Sequence, residues 1–123
     1  MTDPAFRPVL YLKQSCPHCL KLQIFLLEAG VLDRFDQRLF CEGDDNEAPI
    51  RAELAPHFEK VTFPAAEVAP GAFMRESGDI IALYAREWGI DAAALPIYAA
   101  YADSVLPRYL EARRELARIK AEG

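Results

Sequence analysis

The residues most able to do chemistry in this chain are Cys16-Pro17-His18-Cys19. They follow a short apolar run, Val9-Leu10-Tyr11-Leu12, and precede a helical pattern. Two cysteines three apart at a helix start lie on one face of its first turn, close enough to form a disulfide. The first sits where the helix dipole and unpaired N–H groups favour negative charge, which lowers its pKa and supplies thiolate near neutral pH. A thiolate is the nucleophile in disulfide exchange. The motif therefore predicts Cys16 as the attacking sulfur and Cys19, deeper in the helix, as the resolving one. Lys13 adds a positive charge three residues upstream. His18 either tunes the thiolate as a nearby cation or is a solvated helix-start residue.

Three cysteines is an odd count that does not suit a secreted disulfide framework. In a reducing compartment, a lone Cys-x-x-Cys reads as redox or metal chemistry. A zinc site built from Cys16 and Cys19 with Cys41, His18 or His57 lacks the second close ligand pair of structural zinc sites, so no metal ligand is expected. Cys41 reads as a quiet thiol near a strand end. The start Met1-Thr2-Asp3-Pro4 lacks a basic region and an apolar run of signal-peptide type. No apolar stretch approaches the roughly 20 residues of a membrane span. A cytoplasmic protein without a membrane partner is the expectation. The net charge of -5 argues against nucleic acid, which wants a basic face.

The elements that must position the motif can be read in order. Val9–Leu12 is a strand. Pro17 suits the first position of the next helix, and Gly30 its stop. Leu20, Ile24 and Leu27 are spaced i, i+4, i+7, and Leu22, Phe25 and Leu26 widen that stripe, so this helix is expected to be covered on most sides. Residues 35–40 form a second strand, which completes a βαβ unit. Asn46 is the expected cap of a short helix carrying Ile50 and Leu54. Two short strands, 65–69 and 72–75, meet at the turn Pro70-Gly71. Ser77 is the expected cap of a helix through Trp88, closed by Gly89. Residues 95–121 are helical, kinked or broken at Pro107, with Tyr98, Tyr101, Val105, Tyr109, Ala112, Leu116 and Ile119 at helical spacing. The tyrosines are expected to cover the sheet or to form a dimer seam. The order is β-α-β-α-β-β-α plus a C-terminal helix. That order predicts an α/β thioredoxin-like fold: a mixed four-stranded sheet flanked by helices, with a C-terminal helical extension. Residues 1–89 form the thioredoxin-like domain and 90–123 the extension packed on it.

Three segments resemble known families. Lys13-Gln14-Ser15-Cys16-Pro17-His18-Cys19 resembles the active-site loop of dithiol glutaredoxins, which carry a Lys before a Cys-Pro-aromatic-Cys core. Thr62-Phe63-Pro64 is similar to their Thr-Val-Pro, whose proline is cis. Glu76-Ser77-Gly78-Asp79-Ile80 resembles the Glu/Gln-Ser run in the N-terminal domain of glutathione S-transferases. The resemblance implies glutathione as co-substrate. It places Cys16 in a mixed disulfide with glutathione, beside Pro17 and His18, and Lys13 at the glycine carboxylate. It pairs the Phe63 backbone, held by cis-Pro64, with the tripeptide as an added strand. It puts Glu76 and Ser77 on the γ-glutamyl end, where a helix N-terminus suits a carboxylate.

The implied activity is glutathione-dependent thiol–disulfide exchange on protein or small-molecule disulfides, by a monomer or weak dimer. Two alternatives remain at this point. One is a glutathione S-transferase-like protein lacking the full helical domain. The other is a non-catalytic module binding glutathione or an iron–sulfur cluster. Two departures bear on the choice: His18 stands where glutaredoxins carry Tyr or Phe, and too few residues follow Trp88 for the helical domain that supplies a transferase with its hydrophobic-substrate site.

Overall fold

The computed structural model describes residues 6–122. The readings of Met1–Pro4 lie outside the described residues. Four strands form one sheet: β1 (Val9–Lys13), β2 (Asp36–Phe40), β3 (Ala65–Ala69) and β4 (Ala72–Arg75). Their spatial order is β2-β1-β3-β4. β1 runs parallel to β2 and antiparallel to β3, and β3 runs antiparallel to β4. A parallel pair needs a crossover, and α1 (Pro17–Glu28) makes it. The fold is therefore a mixed α/β arrangement around a mixed four-stranded sheet.

β1 is central, and its side chains serve both faces because strand residues alternate. Leu10 and Leu12 enter a core with Leu22, Phe25 and Leu26 of α1 and with Ile80 and Tyr84 of α3 (Ser77–Glu87). On the other face, Tyr11 packs with Phe40, Ala65, and Ile50 and Leu54 of α2 (Glu47–Leu54). Burial on both faces explains why β1 reads as an unbroken apolar run. It also fixes the register that carries Lys13 to the end of the strand, with Phe40 beside it.

Three local expectations are corrected. α1 is not covered on most sides: Cys19, Leu22, Phe25 and Leu26 are its buried face, while Leu20 and Leu27 are exposed. Asn46 occupies the cap position of α2 but makes no side-chain cap bond. Asp44 satisfies that end instead, its Oδ1 accepting from the N–H groups of Asn46 and Glu47. Ser77 is the first helical residue of α3 and is buried, and the cap is Glu76 at φ 76°.

The C-terminal segment begins with α4 (Pro96–Ala100), passes through a π-helical turn at Tyr101–Val105, and continues as α5 (Leu106–Glu122). Pro107 explains that turn. A proline in a helix removes an N–H and collides with the preceding turn, and a widened turn relieves both. The first half packs on α1 rather than on the sheet. The Tyr98 ring meets Phe25 edge-on at 5.2 Å. The Glu28 carboxylate at the end of α1 accepts from the N–H groups of Ile97, at 3.0 Å, and Tyr98, at 2.7 Å. Beyond Leu106 the apolar side chains Tyr109, Leu116 and Ile119 are exposed.

Glu28 thus caps a helix some 70 residues away in sequence, and its loss leaves two N–H groups of α4 without their acceptor. Glu28→Ala should lower stability by about 1–2 kcal/mol, the usual cost of losing a helix cap. Urea unfolding compared with the parent would measure it, and an unchanged midpoint would contradict this role.

Candidate functional site

The site begins at the bend between β1 and α1. Ser15 has φ 70°. Together with Glu76 it is one of two non-glycine residues in the left-handed region among those described. Such conformations cost free energy and persist where surrounding structure enforces them. The bend is closed by the Cys16 N–H donating to the Lys13 carbonyl. Cys16 then becomes the N-cap of α1, with Pro17 in its first turn.

At a cap, the side chain accepts from N–H groups that the helix leaves free. Here the acceptor is sulfur: the Cys19 N–H points at Cys16 Sγ at 3.4 Å. Cys16 Sγ also stands 3.8 Å from the Phe63 carbonyl oxygen. The Phe63–Pro64 peptide is cis. Both cysteines are free thiols, Cys16 half-buried and Cys19 buried at 1 % exposure. Cys19 Sγ accepts from the Lys13 N–H at 3.4 Å.

This geometry splits the two acidities. The Cys16 thiol is pulled down to about 5. The largest cause is the hydrogen bond from the Cys19 side chain; the backbone N–H groups of Cys19 and His18 and the His18 charge act in the same direction, against burial. The Cys19 thiol is pushed up, by that same hydrogen bond and then by burial. The pair therefore holds one proton, and it resides on Cys19. The resulting thiolate is the more accessible sulfur, which is the arrangement a nucleophile requires. The His18 charge is the smallest of these causes.

Two clefts open beside Cys16, and both are lined by Lys13, Gln14, Ser15, Cys16, Pro17 and Tyr109. The first, about 490 Å³, adds Leu20, Gln23, Leu39, Tyr101 and Val105. The second, about 580 Å³, adds His18, Cys41, Glu42 and Arg113. The Tyr101 hydroxyl donates to the Pro17 carbonyl at 2.7 Å and so ties the C-terminal segment to the cysteine loop. Burial first, and the Cys16 charge second, push its pKa up, so it stays a donor. The short C-terminal segment therefore walls an apolar space next to Cys16 Sγ. Tyr101 and Tyr109, expected to cover the sheet or form a dimer seam, line the clefts with Val105 and Arg113. Helical spacing is the only sequence signal for Tyr101, Val105 and Tyr109, and Arg113 has none.

The remaining sequence candidates fall on a line. Pro64 is followed by Ala65, which pairs with Arg75, and Arg75 leads into Glu76 and Ser77. The run from Cys16 past Phe63 and Pro64 to the start of α3 is thus one sheet end. Glu76 is exposed there and Ser77 buried, and neither lines the two clefts. The Lys13 ammonium lies 3.9 Å from the exposed Glu42 carboxylate, a weak pairing that leaves it available to a ligand. Cys41 is exposed and its thiol donates to the Gln14 side-chain oxygen. Among the described residues, no three His, Cys, Asp or Glu side chains are grouped to hold a metal ion. No helix among them is long and apolar enough to cross a membrane. Comparison of the chain with protein-family models matches none of them, and no curated protein matches it.

In a Cys41→Ser background, the rate of iodoacetamide alkylation at Cys16 should rise with pH through a midpoint near 5 and be flat from pH 6.5 to 8. A lowered thiol pKa places the thiolate plateau above that midpoint. Cys19→Ala, which removes the largest cause, should raise the midpoint more than His18→Ala does. A midpoint near the ordinary thiol value of about 8.5 in the parent would contradict the assignment.

Proposed function

We propose that this chain is a glutaredoxin-like, glutathione-dependent thiol–disulfide oxidoreductase on a thioredoxin-like fold. The observation that carries the reading is the placement of Cys16. Its sulfur caps α1, faces the Phe63 carbonyl before cis-Pro64, and shares a proton with the buried Cys19. The strand order and the α1 crossover support the fold. In this reading residues 1–89 are the glutathione-binding domain and 90–123 the extension. A reducing compartment such as the cytoplasm suits a dithiol site.

The reaction begins when the Cys16 thiolate attacks one sulfur of a glutathione-containing disulfide. The new Cys16–glutathione bond forms as the old sulfur–sulfur bond breaks, and its electron pair leaves on the departing thiolate. Cys19 then loses its proton, attacks Cys16 Sγ, and releases glutathione thiolate. This second step fits the acidities. The hydrogen bond that most raises Cys19 exists to serve the Cys16 thiolate, and a disulfide-bonded Cys16 is no longer an anion to be served. Forming the adduct therefore makes Cys19 easier to deprotonate. Glutathione itself can replace Cys19 in this role.

The tripeptide would lie along the sheet end from Cys16 to α3. Its cysteine backbone would pair with Phe63, its glycine carboxylate would meet Lys13, and its γ-glutamyl end would meet Glu76 and the N–H groups at Ser77. α3 is an eleven-residue helix whose first turn faces that end.

Equilibrating the Cys19→Ser protein with glutathione disulfide should give one glutathione per chain by intact mass, and none after the further change Cys16→Ser. Cys19→Ser should retain reduction of a glutathione mixed disulfide, which needs one thiol, whereas Cys16→Ser should lose it by at least a hundredfold. An accessible, reduced Cys16 that takes no glutathione would sink the reading.

A further inference from the structure

The two clefts beside Cys16 share six residues and therefore form one continuous surface, which neither Glu76 nor Ser77 lines. Its halves differ in chemistry. One is apolar: Leu20, Leu39, Tyr101 and Val105 surround a volume of about 490 Å³, the size of a small organic ligand's pocket. Leu20, Leu39 and Val105 are exposed there, so apolar surface remains uncovered directly beside a nucleophile. The other half is polar and carries Lys13, His18 and Arg113 against one carboxylate, Glu42. Glu42 is already near Lys13. Arg113 makes no ion pair among the described residues; its guanidinium lies over the Tyr109 ring at 5.7 Å. Tyr109 belongs to both halves and marks their boundary.

An apolar hollow ending at a free guanidinium fits an amphipathic anion. Resting on the exchange reaction above, we propose that the second partner of the disulfide exchanged at Cys16 is a thiol with an aromatic or branched aliphatic body ending in a carboxylate. The body occupies the Leu39–Tyr101–Val105 hollow, and the carboxylate meets Arg113. Glutathione lies along Phe63 with its glycine end reaching Lys13, and this thiol lies against Tyr101, Val105 and Arg113, with Cys16 Sγ between them. The Cys16 thiolate attacks the glutathione sulfur of the mixed disulfide, and the bond between the two partners breaks. Its electron pair leaves on the amphipathic thiolate, already seated in the cleft, which takes a proton from solvent. A second glutathione thiolate then attacks the glutathione sulfur of the Cys16–glutathione bond, which breaks with its electron pair returning to Cys16 as thiolate, and glutathione disulfide leaves. The bound thiol's sulfur is reduced and the second glutathione's sulfur is oxidised, while the first glutathione's sulfur stays at the disulfide level throughout.

The test uses the full chain and three mixed disulfides of glutathione: with 5-thio-2-nitrobenzoate (aromatic, carboxylated), with 4-nitrothiophenol (aromatic, neutral) and with 2-mercaptoethanol (small, neutral). Leaving-group acidity differs among them, so each variant's kcat/KM is taken as a ratio to the parent's with the same substrate. Arg113→Ala should cut the carboxylated-to-neutral aromatic ratio about five- to tenfold, in line with losing one charge-assisted contact. Val105→Gln should cut the ratio of either aromatic substrate to the mercaptoethanol one about threefold or more. Both positions are exposed, so neither change threatens the fold. Ratios unmoved by both variants, with exchange at Cys16 intact, would overturn the inference and leave the oxidoreductase reading standing. No exchange at Cys16 with any of the three disulfides would instead remove the oxidoreductase reading, and the inference with it.

Discussion

The site depends on a single proton shared between two sulfurs at a helix start. Cys16 Sγ occupies a capping position that oxygen usually fills, and Cys19 supplies the N–H that points at it. A helix N-terminus favours an anion at that point, and the neighbouring thiol can donate to it. Because Cys19 is buried and Cys16 is not, the charge has only one comfortable place. The rest of the chain can be understood as holding this pair in position. β1 brings Lys13 to the mouth of the site and its N–H to Cys19. The strained Ser15 turns the chain. The loop before β3 sets the Phe63 carbonyl opposite the sulfur.

The packing makes that placement rigid. β1 is buried on both faces, so Lys13 cannot shift without moving Leu10, Tyr11 and Leu12 out of two separate cores. α1 is pinned at both ends by the C-terminal segment. The Tyr101 hydroxyl bonds to Pro17 at its start, and Glu28 at its end caps α4. The segment that stabilises α1 therefore also builds the far wall of the cleft. Tyr101 takes part in both, bonding to Pro17 and lining the cleft.

Much of this was legible in the sequence because it is local. The β1 run, Pro17 at the helix start, the Pro70-Gly71 turn and the Cys-x-x-Cys spacing each depend on a few adjacent residues, and each matches the structure. What the sequence concealed depends on distant chain. Leu20 looked like part of a buried stripe, yet it lines the cleft, because only tertiary packing decides which side of α1 is covered. Ser77 looked like a cap, but Glu76 takes the positive φ, a conformation set by how β4 delivers the chain to α3. Asp44 replaces Asn46 at α2 because a loop carboxylate reaches two N–H groups at once. The cleft walls come from residues 101–113, more than 80 positions from Cys16. The widened turn before Pro107 rotates the helical face, so spacing alone could not aim Tyr109 or Arg113.

The central claim is that Cys16 and Cys19 act as one redox couple. The most direct test is to equilibrate the Cys41→Ser protein in buffers of graded reduced-to-oxidised glutathione ratio, trap free thiols with acid and an alkylating agent, and map the sulfurs by mass spectrometry. The account predicts loss of two thiols together in a single reversible transition, with a Cys16–Cys19 disulfide as the oxidised end state. Two thiols that persist under excess glutathione disulfide, with Cys16 shown to be accessible, would contradict it.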